Sequence, residues 1–179
     1  MSIAELRRLA PAPAWPLGSG DEQRWLLAEN KLGLRLPTDY KDLVQTYGSG
    51  RFGNFLTVFT PFVSDGYVNL LTQDTLALDA YREVRAALPH AAPYPAYPEP
   101  GGVLPWAQTD NGDVVYWLTE GPSDSWPIVV IEARHGSYEQ YALSTTEFLA
   151  RLLEGTLNSR ILPARLGGNV SPRFAPLTS

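Results

Sequence analysis

Leu32-Gly33-Leu34-Arg35-Leu36-Pro37-Thr38-Asp39-Tyr40-Lys41-Asp42-Leu43-Val44-Gln45-Thr46-Tyr47-Gly48-Ser49-Gly50 encodes the end of one helix, the start of another and its stop. Gly33 suits the left-handed position that follows a helix C-terminus. Leu36-Pro37 opens the next helix, because proline has φ already set and needs no N–H partner in a first turn. Asp39 falls in that turn, where a negative charge favours the helix dipole. Tyr40, Leu43, Val44 and Tyr47 then recur at i, i+3, i+4 and i+7, one apolar stripe for a core. Gly48-Ser49-Gly50 ends it.

Upstream, residues 2–10 read as a short helix with Ile3, Leu6 and Leu9 at a spacing of three. Pro11, Pro13 and Pro16 make a stiff connector around Trp15. Ser19-Gly20-Asp21-Glu22 has the form of a capping box and predicts a helix over about 20–32, with Trp25, Ala28 and Leu32 on one side. Downstream, Arg51-Phe52-Gly53-Asn54 reads as a turn, and Phe55–Thr60 as a strand ending at Pro61. Asn69–Leu88 is the longest predicted helix, with Leu71, Leu78, Tyr81, Val84 and Leu88 near one stripe.

From Pro89 to Pro105, 6 of 17 residues are proline, which excludes a helix or a central strand and predicts a packed loop. Three strands follow at Asp113–Thr119, Pro127–Ala133 and Tyr138–Leu143. Asn111-Gly112 marks a tight turn before the first, and Gly121–Ser125 and His135-Gly136-Ser137 separate the three. Connections this short favour an antiparallel meander. Ser144-Thr145-Thr146-Glu147 is a second capping box. It opens a helix bearing Phe148, Leu149, Leu152 and Leu153, which ends near Gly155.

The expected architecture is α+β: a single domain, with a central, mostly antiparallel sheet and packed helices. Residues 1–20 form an N-terminal helix and connector, 21–155 the domain, and 156–179 a partly mobile arm.

The 32–50 stretch resembles the opening signature of the SUKH superfamily, which includes a fungal cell-wall-synthesis regulator and many bacterial immunity proteins. The matching residues are Leu32, Gly33, Leu36, Pro37, Asp39, Tyr40, Leu43, Tyr47 and Gly48-Ser49-Gly50. Asp110-Asn111-Gly112-Asp113 leading into Val114–Trp117, then Pro127–Ala133, Ser137–Leu143 and Ser144–Leu149, is similar to the family's later order of elements. The resemblance spans residues 21–155. Two features depart from the family: the tryptophan it often has just before the first glycine motif has only Trp25 as a candidate here, and the proline-rich 89–105 insert is unusual for the family.

Composition narrows the function. Five tryptophans, nine tyrosines and six phenylalanines supply a core, and the chain has no cysteine, hence no disulfide and no thiolate chemistry. No run approaches the roughly 20 apolar residues of a membrane span, and the N-terminus lacks the apolar core of a secretory signal. A soluble, cytoplasmic protein is expected. Net charge is −5 and uneven: residues 110–154 hold eight acidic residues against Arg134 and Arg151, while residues 155–179 hold three arginines and no acid. That distribution disfavours nucleic acid and favours a basic protein partner.

Catalytic signals are weak. His90 and His135 read as loop residues rather than metal ligands, and Asp110–Gly121 lacks the terminal glutamate of a calcium loop. There is no G-x-S-x-G elbow and no phosphate-cradling Gly-Lys-Ser/Thr. Asp110 and Glu132 could in principle form an acid–base pair, but among 19 acidic residues some such pair is inevitable. The expectation is a non-enzymatic binding protein without cofactor or metal.

What the resemblance implies is an immunity protein that neutralises a cognate toxin, such as a nuclease or deaminase domain. The alternative it implies is an intracellular regulatory adaptor of the cell-wall type. The candidate binding residues are Asp110, Asp113, Glu120 and Asp124 as complementary charge for a basic cleft, with Trp117 and Trp126 as anchors. Strand alternation leaves Trp117 equally suited to core or interface. Trp106 and Trp126, beside Pro105 and Pro127, read as strand-edge or loop residues.

Overall fold

The computed structural model describes residues 3–166 and 173–177. Its helices are α1 (Ile3–Leu9), α2 (Glu22–Leu32), α3 (Thr38–Tyr47), α4 (Leu70–Ala87) and α5 (Thr145–Glu154). Its strands are β1 (Gly50–Phe52), β2 (Leu56–Val58), β3 (Val103–Thr109), β4 (Val114–Leu118), β5 (Ile128–Ile131), β6 (Tyr138–Tyr141) and β7 (Phe174–Pro176). They form one sheet in the order β6-β5-β4-β3-β2-β1-β7. Every pairing is antiparallel, so the expected α+β fold is present.

Register assigns the two faces. Trp117 lies opposite Leu104 and Ile128, and Val115 opposite Ala107 and Val130. This face packs on α3 and α5: Trp117 meets the Tyr40 ring edge-on at 4.8 Å, and Trp106 meets Phe148 at 6.0 Å. The other face carries Gln108, Val114, Tyr116 and Ile131, and α4 covers part of it, with Tyr81 and Tyr116 5.6 Å apart.

The 32–50 stretch forms as read, and its polar atoms reach far. Gly33 is left-handed (φ 76°), and its N–H donates to the Glu29 carbonyl. The buried Glu29 carboxylate accepts from Leu36 N–H (3.0 Å) and Lys41 Nζ (2.8 Å), fixing the angle between α2 and α3. Tyr40 Oη donates to the Phe59 carbonyl (2.5 Å) and Tyr47 Oη to the Ala10 carbonyl (2.6 Å). Burial pushes the Tyr40 hydroxyl pKa well up, so it stays a donor.

Asp39 does more than sit in the first turn of α3. Its Oδ2 accepts from Thr146 N–H (2.7 Å) and Thr146 Oγ1 (3.1 Å) at the start of α5. Ser144 caps the next amide, that of Glu147, as the capping box predicts. One carboxylate and one hydroxyl, from different parts of the chain, thereby satisfy orphan donors of one helix N-terminus. Asp39→Ala is expected to lower stability by about 2 kcal/mol, with Asp39→Asn intermediate and the exposed Asp42→Ala near neutral. Urea unfolding of the three variants checks this.

Several local expectations are corrected. The cap of α2 is Asp21, which accepts from Arg24 N–H, not Ser19. Residues 50–52 are strand rather than turn; the reversal is confined to Gly53 and Asn54, both at positive φ. Pro105 lies in β3, the central strand of the sheet. It is accommodated because the register with β4 shifts between Pro105 and Ala107, a bulge that leaves Trp106 as the extra residue. Trp106 is therefore not at an edge: it is fully buried and stacks on Trp117 at 5.7 Å.

The segment after α5, expected as an arm, packs back in its described part. Leu157, Leu162, Leu166 and Phe174 are buried, and β7 pairs with β1. Arg165 Nε and Arg173 Nη1 each donate to the Leu153 carbonyl at 3.3 Å, placing cations at the C-terminus of α5. Glu139 on β6 holds the same segment through Ser159 Oγ (2.6 Å) and Arg160 N–H (2.8 Å). Burial pushes the Glu139 carboxyl up, but hydrogen bonds from Ser159, Tyr141 and Arg160 outweigh it and hold it below its ordinary value.

Candidate partner-binding surfaces

The six residues expected to form one acidic, tryptophan-bearing face do not come together. Asp110 and Asp113 flank the β3–β4 hairpin, while Glu120 and Asp124 lie beyond the other end of β4. Five strand residues separate the pairs, about 17 Å at the usual rise. Trp117 is 0% exposed, and its indole N–H donates to Thr145 Oγ1 at 3.1 Å. Trp126 is buried too, its N–H donating to the Gly121 carbonyl (3.1 Å) and its ring 6.3 Å from Trp117. Neither ring can anchor a partner, because both already fill the core between sheet and helices.

The acids are likewise occupied. Asp113 is buried, with Oδ2 accepting from Thr109 Oγ1 (3.0 Å) and Oδ1 from Ala133 N–H (3.1 Å), so it ties the β3–β4 hairpin to the end of β5. Asp124 is exposed but caps α3, whose own N-cap, Pro37, makes no side-chain cap: it accepts from Thr38 N–H (2.6 Å) and Thr38 Oγ1 (3.2 Å). Asp110, also exposed, pairs with Arg51. Glu120 is exposed and makes no side-chain hydrogen bond or ion pair among the described residues.

Two other surfaces stand out. The first is Trp15, 87% exposed, with Leu17 beside it. The connector that carries it is pinned at both ends. Tyr47 Oη holds the Ala10 carbonyl, and Ser49 N–H donates to the Leu17 carbonyl at 2.6 Å. Pro11, Pro13 and Pro16 stiffen what lies between. The proline-flanked tryptophan was visible in the sequence, but only tertiary structure shows that no other element among the described residues covers it.

The second is a groove of about 590 Å³ between α4 and the uncovered part of the sheet, floored by Gln108, Val114, Tyr116 and Ile131. Its near wall is α4, and its far wall is the turn 132–136. Leu76 (53%), Val84 (43%) and Leu88 (51%) are exposed along the near wall, with Tyr67 at the mouth. The expected stripe of α4 is thus only partly core: Leu78 and Tyr81 are buried and Leu71 is half-buried, whereas Val84 and Leu88 face the groove. The two histidines of the chain both line it, from loops 45 residues apart in sequence. His135 Nδ1 lies 2.8 Å from Glu132 Oε1, and that hydrogen bond holds the half-buried Glu132 carboxyl below its ordinary value.

Among the described residues, no group of three or more His, Cys, Asp or Glu could hold a metal ion, and no helix is long and apolar enough to cross a membrane. A family model described as SMI1-KNR4 cell-wall, SUKH_6, matches residues 22–149. That span runs from the first residue of α2 into α5 and covers the signature, α4 and strands β1 to β6. No curated protein matches the chain.

Proposed function

Because the chain belongs to the SMI1-KNR4 cell-wall family of the SUKH superfamily, we propose that it acts by binding another protein, a toxin that it neutralises by occlusion. Trp15 carries the reading. A tryptophan 87% exposed on a connector pinned at both ends presents a large apolar ring at little further cost in chain entropy. Tryptophan in such a setting is the side chain most enriched at binding hot spots. The net charge of −5 favours a basic partner, with Glu120 as a free carboxylate available for the rim of the contact.

The test is a pull-down of tagged protein from native lysate with mass spectrometry, followed by affinity measurement on the recovered partner. One stoichiometric partner carrying a toxin domain is expected, together with protection of growth when the two are co-expressed. Trp15→Ala should weaken the complex by about 30-fold, while its melting curve matches wild type because the ring touches no core. Recovery of wall-synthesis or signalling proteins instead would replace this reading with a regulatory adaptor. Unchanged affinity in the Trp15 variant would remove the anchor.

A further inference from the structure

Leu76, Ala80 and Val84 on α4 and Leu88 just past its end follow one another at intervals of four, and all four line the groove. Residues at that interval form a single ridge on a helix surface, here about 18 Å long at 1.5 Å per residue. The large members are each roughly half exposed, and Ala77 and Ala80 leave the middle of the wall shallow. An apolar ridge of this extent on an 18-residue helix lacks a covering element among the described residues.

We infer that this face is the interface of a symmetric homodimer, in which α4 of a second copy packs into the groove. The ridge is complementary to itself. Crossing antiparallel at Ala80, two such helices place Leu76 against Val84 of the second copy and the two small Ala80 residues at the point of closest approach. Interdigitation of rows spaced by four is the commonest packing of helix pairs in globular proteins.

Charge supports the same occupant. Glu83 lies one heptad after Leu76, so it borders the ridge on its solvent side. Arg134 stands on the opposite wall of the groove. Both are exposed, and neither forms an ion pair among the described residues. Their neighbours are already paired: Asp79 with Arg82 (2.8 Å) and Glu132 with His135 (2.8 Å). In an isologous interface each contact occurs twice, residue i meeting j and j meeting i. Glu83 of one copy meets Arg134 of the other, and the symmetry supplies the reciprocal pair. An acid bordering the ridge and a base on the far wall of the groove, each without an ion pair among the described residues, are what a self-complementary contact requires.

Sedimentation velocity on the purified chain tests this without any toxin, over concentrations from about 1 to about 200 µM, which brackets a micromolar dissociation constant. The expected mass at the upper end is twice the 19.7 kDa of one chain. Val84→Glu should abolish the dimer, and its retained far-UV spectrum and melting curve would show that the monomer is folded. Glu83→Arg and Arg134→Glu should each weaken it by about tenfold, and the two combined should restore it, because the swapped charges again meet.

A wild-type protein that stays monomeric throughout overturns the inference. So does a dimer indifferent to all four variants, and so does a monomer whose α4 face is instead needed to retain a captured partner. Trp15→Ala leaves this dimer intact, so the dimer and the toxin reading can fail separately.

Discussion

Gly48→Ala is expected to be among the most damaging single-methyl additions in this chain. Gly48 sits at φ 67° and ψ −153°, a region essentially reserved for glycine. A Cβ there would lie 2.2 Å from the Leu17 carbonyl oxygen and 2.6 Å from its amide nitrogen, both backbone atoms that cannot swing aside. The connector bearing Trp15 runs directly over this residue as a parallel bridge between Leu17 and Gly48. The added methyl must therefore strain α3's exit, displace the connector, or both. The cost should be about 3 kcal/mol or more. Urea unfolding reads the loss, and limited proteolysis after residues 7, 8 and 24 reads whether the connector has lifted. A variant as stable as wild type would mean that the close approach is not maintained in solution.

Trp117→Ala is the second. Trp117 is wholly buried, stacks on Trp106 at 5.7 Å, meets Tyr40 edge-on at 4.8 Å, and donates to Thr145. Truncation leaves a cavity at the junction of β4, α3 and α5 and orphans the Thr145 hydroxyl. Large-to-alanine substitutions of this kind cost about 3–5 kcal/mol. At about 2–4 °C per kcal/mol for a chain of this size, the melting temperature should fall by about 10 °C. Trp117→Phe should recover part of this, lacking the indole N–H but keeping aromatic volume. The contrast with Trp15→Ala separates the two tryptophans by role, since one loses stability and the other affinity.

That contrast also measures how far the sequence could be read. Helices came through because their signals are local. The 3.6-residue period of Tyr40, Leu43, Val44 and Tyr47, the glycine at residue 33 and the Ser144 cap each act within a few residues of themselves. The β4–β6 meander came through for the same reason, with Asn111-Gly112 marking the turn that leads into it. Pro105 misled because a proline excludes a regular ladder but not a bulge, and the bulge depends on what β4 does opposite it.

The expected acidic face failed differently. Period-two alternation put Trp117 on one side of β4 but could not say which side the helices would cover. Asp113 and Asp124 looked like free surface charge because their partners, Ala133 and Thr38, lie 20 and 86 residues away. In α4, Val84 and Leu88 fitted the core stripe as well as Leu78 did. Only the width of the sheet decides that the helix covers one part of it and leaves a groove beside the other.

The sequence by itself determined the class of fold, the family, the place of each helix and the β4–β6 meander, because each rests on short-range periodicity, caps and turn residues. Tertiary structure alone decided which polar groups are spent and which are free. Asp39, read as a helix-dipole residue of α3, holds Thr146 across 107 positions of chain. A carboxylate is a free surface charge or a structural acceptor according to which donor the fold brings within about 3 Å, and that distance is set by packing rather than by neighbours in sequence.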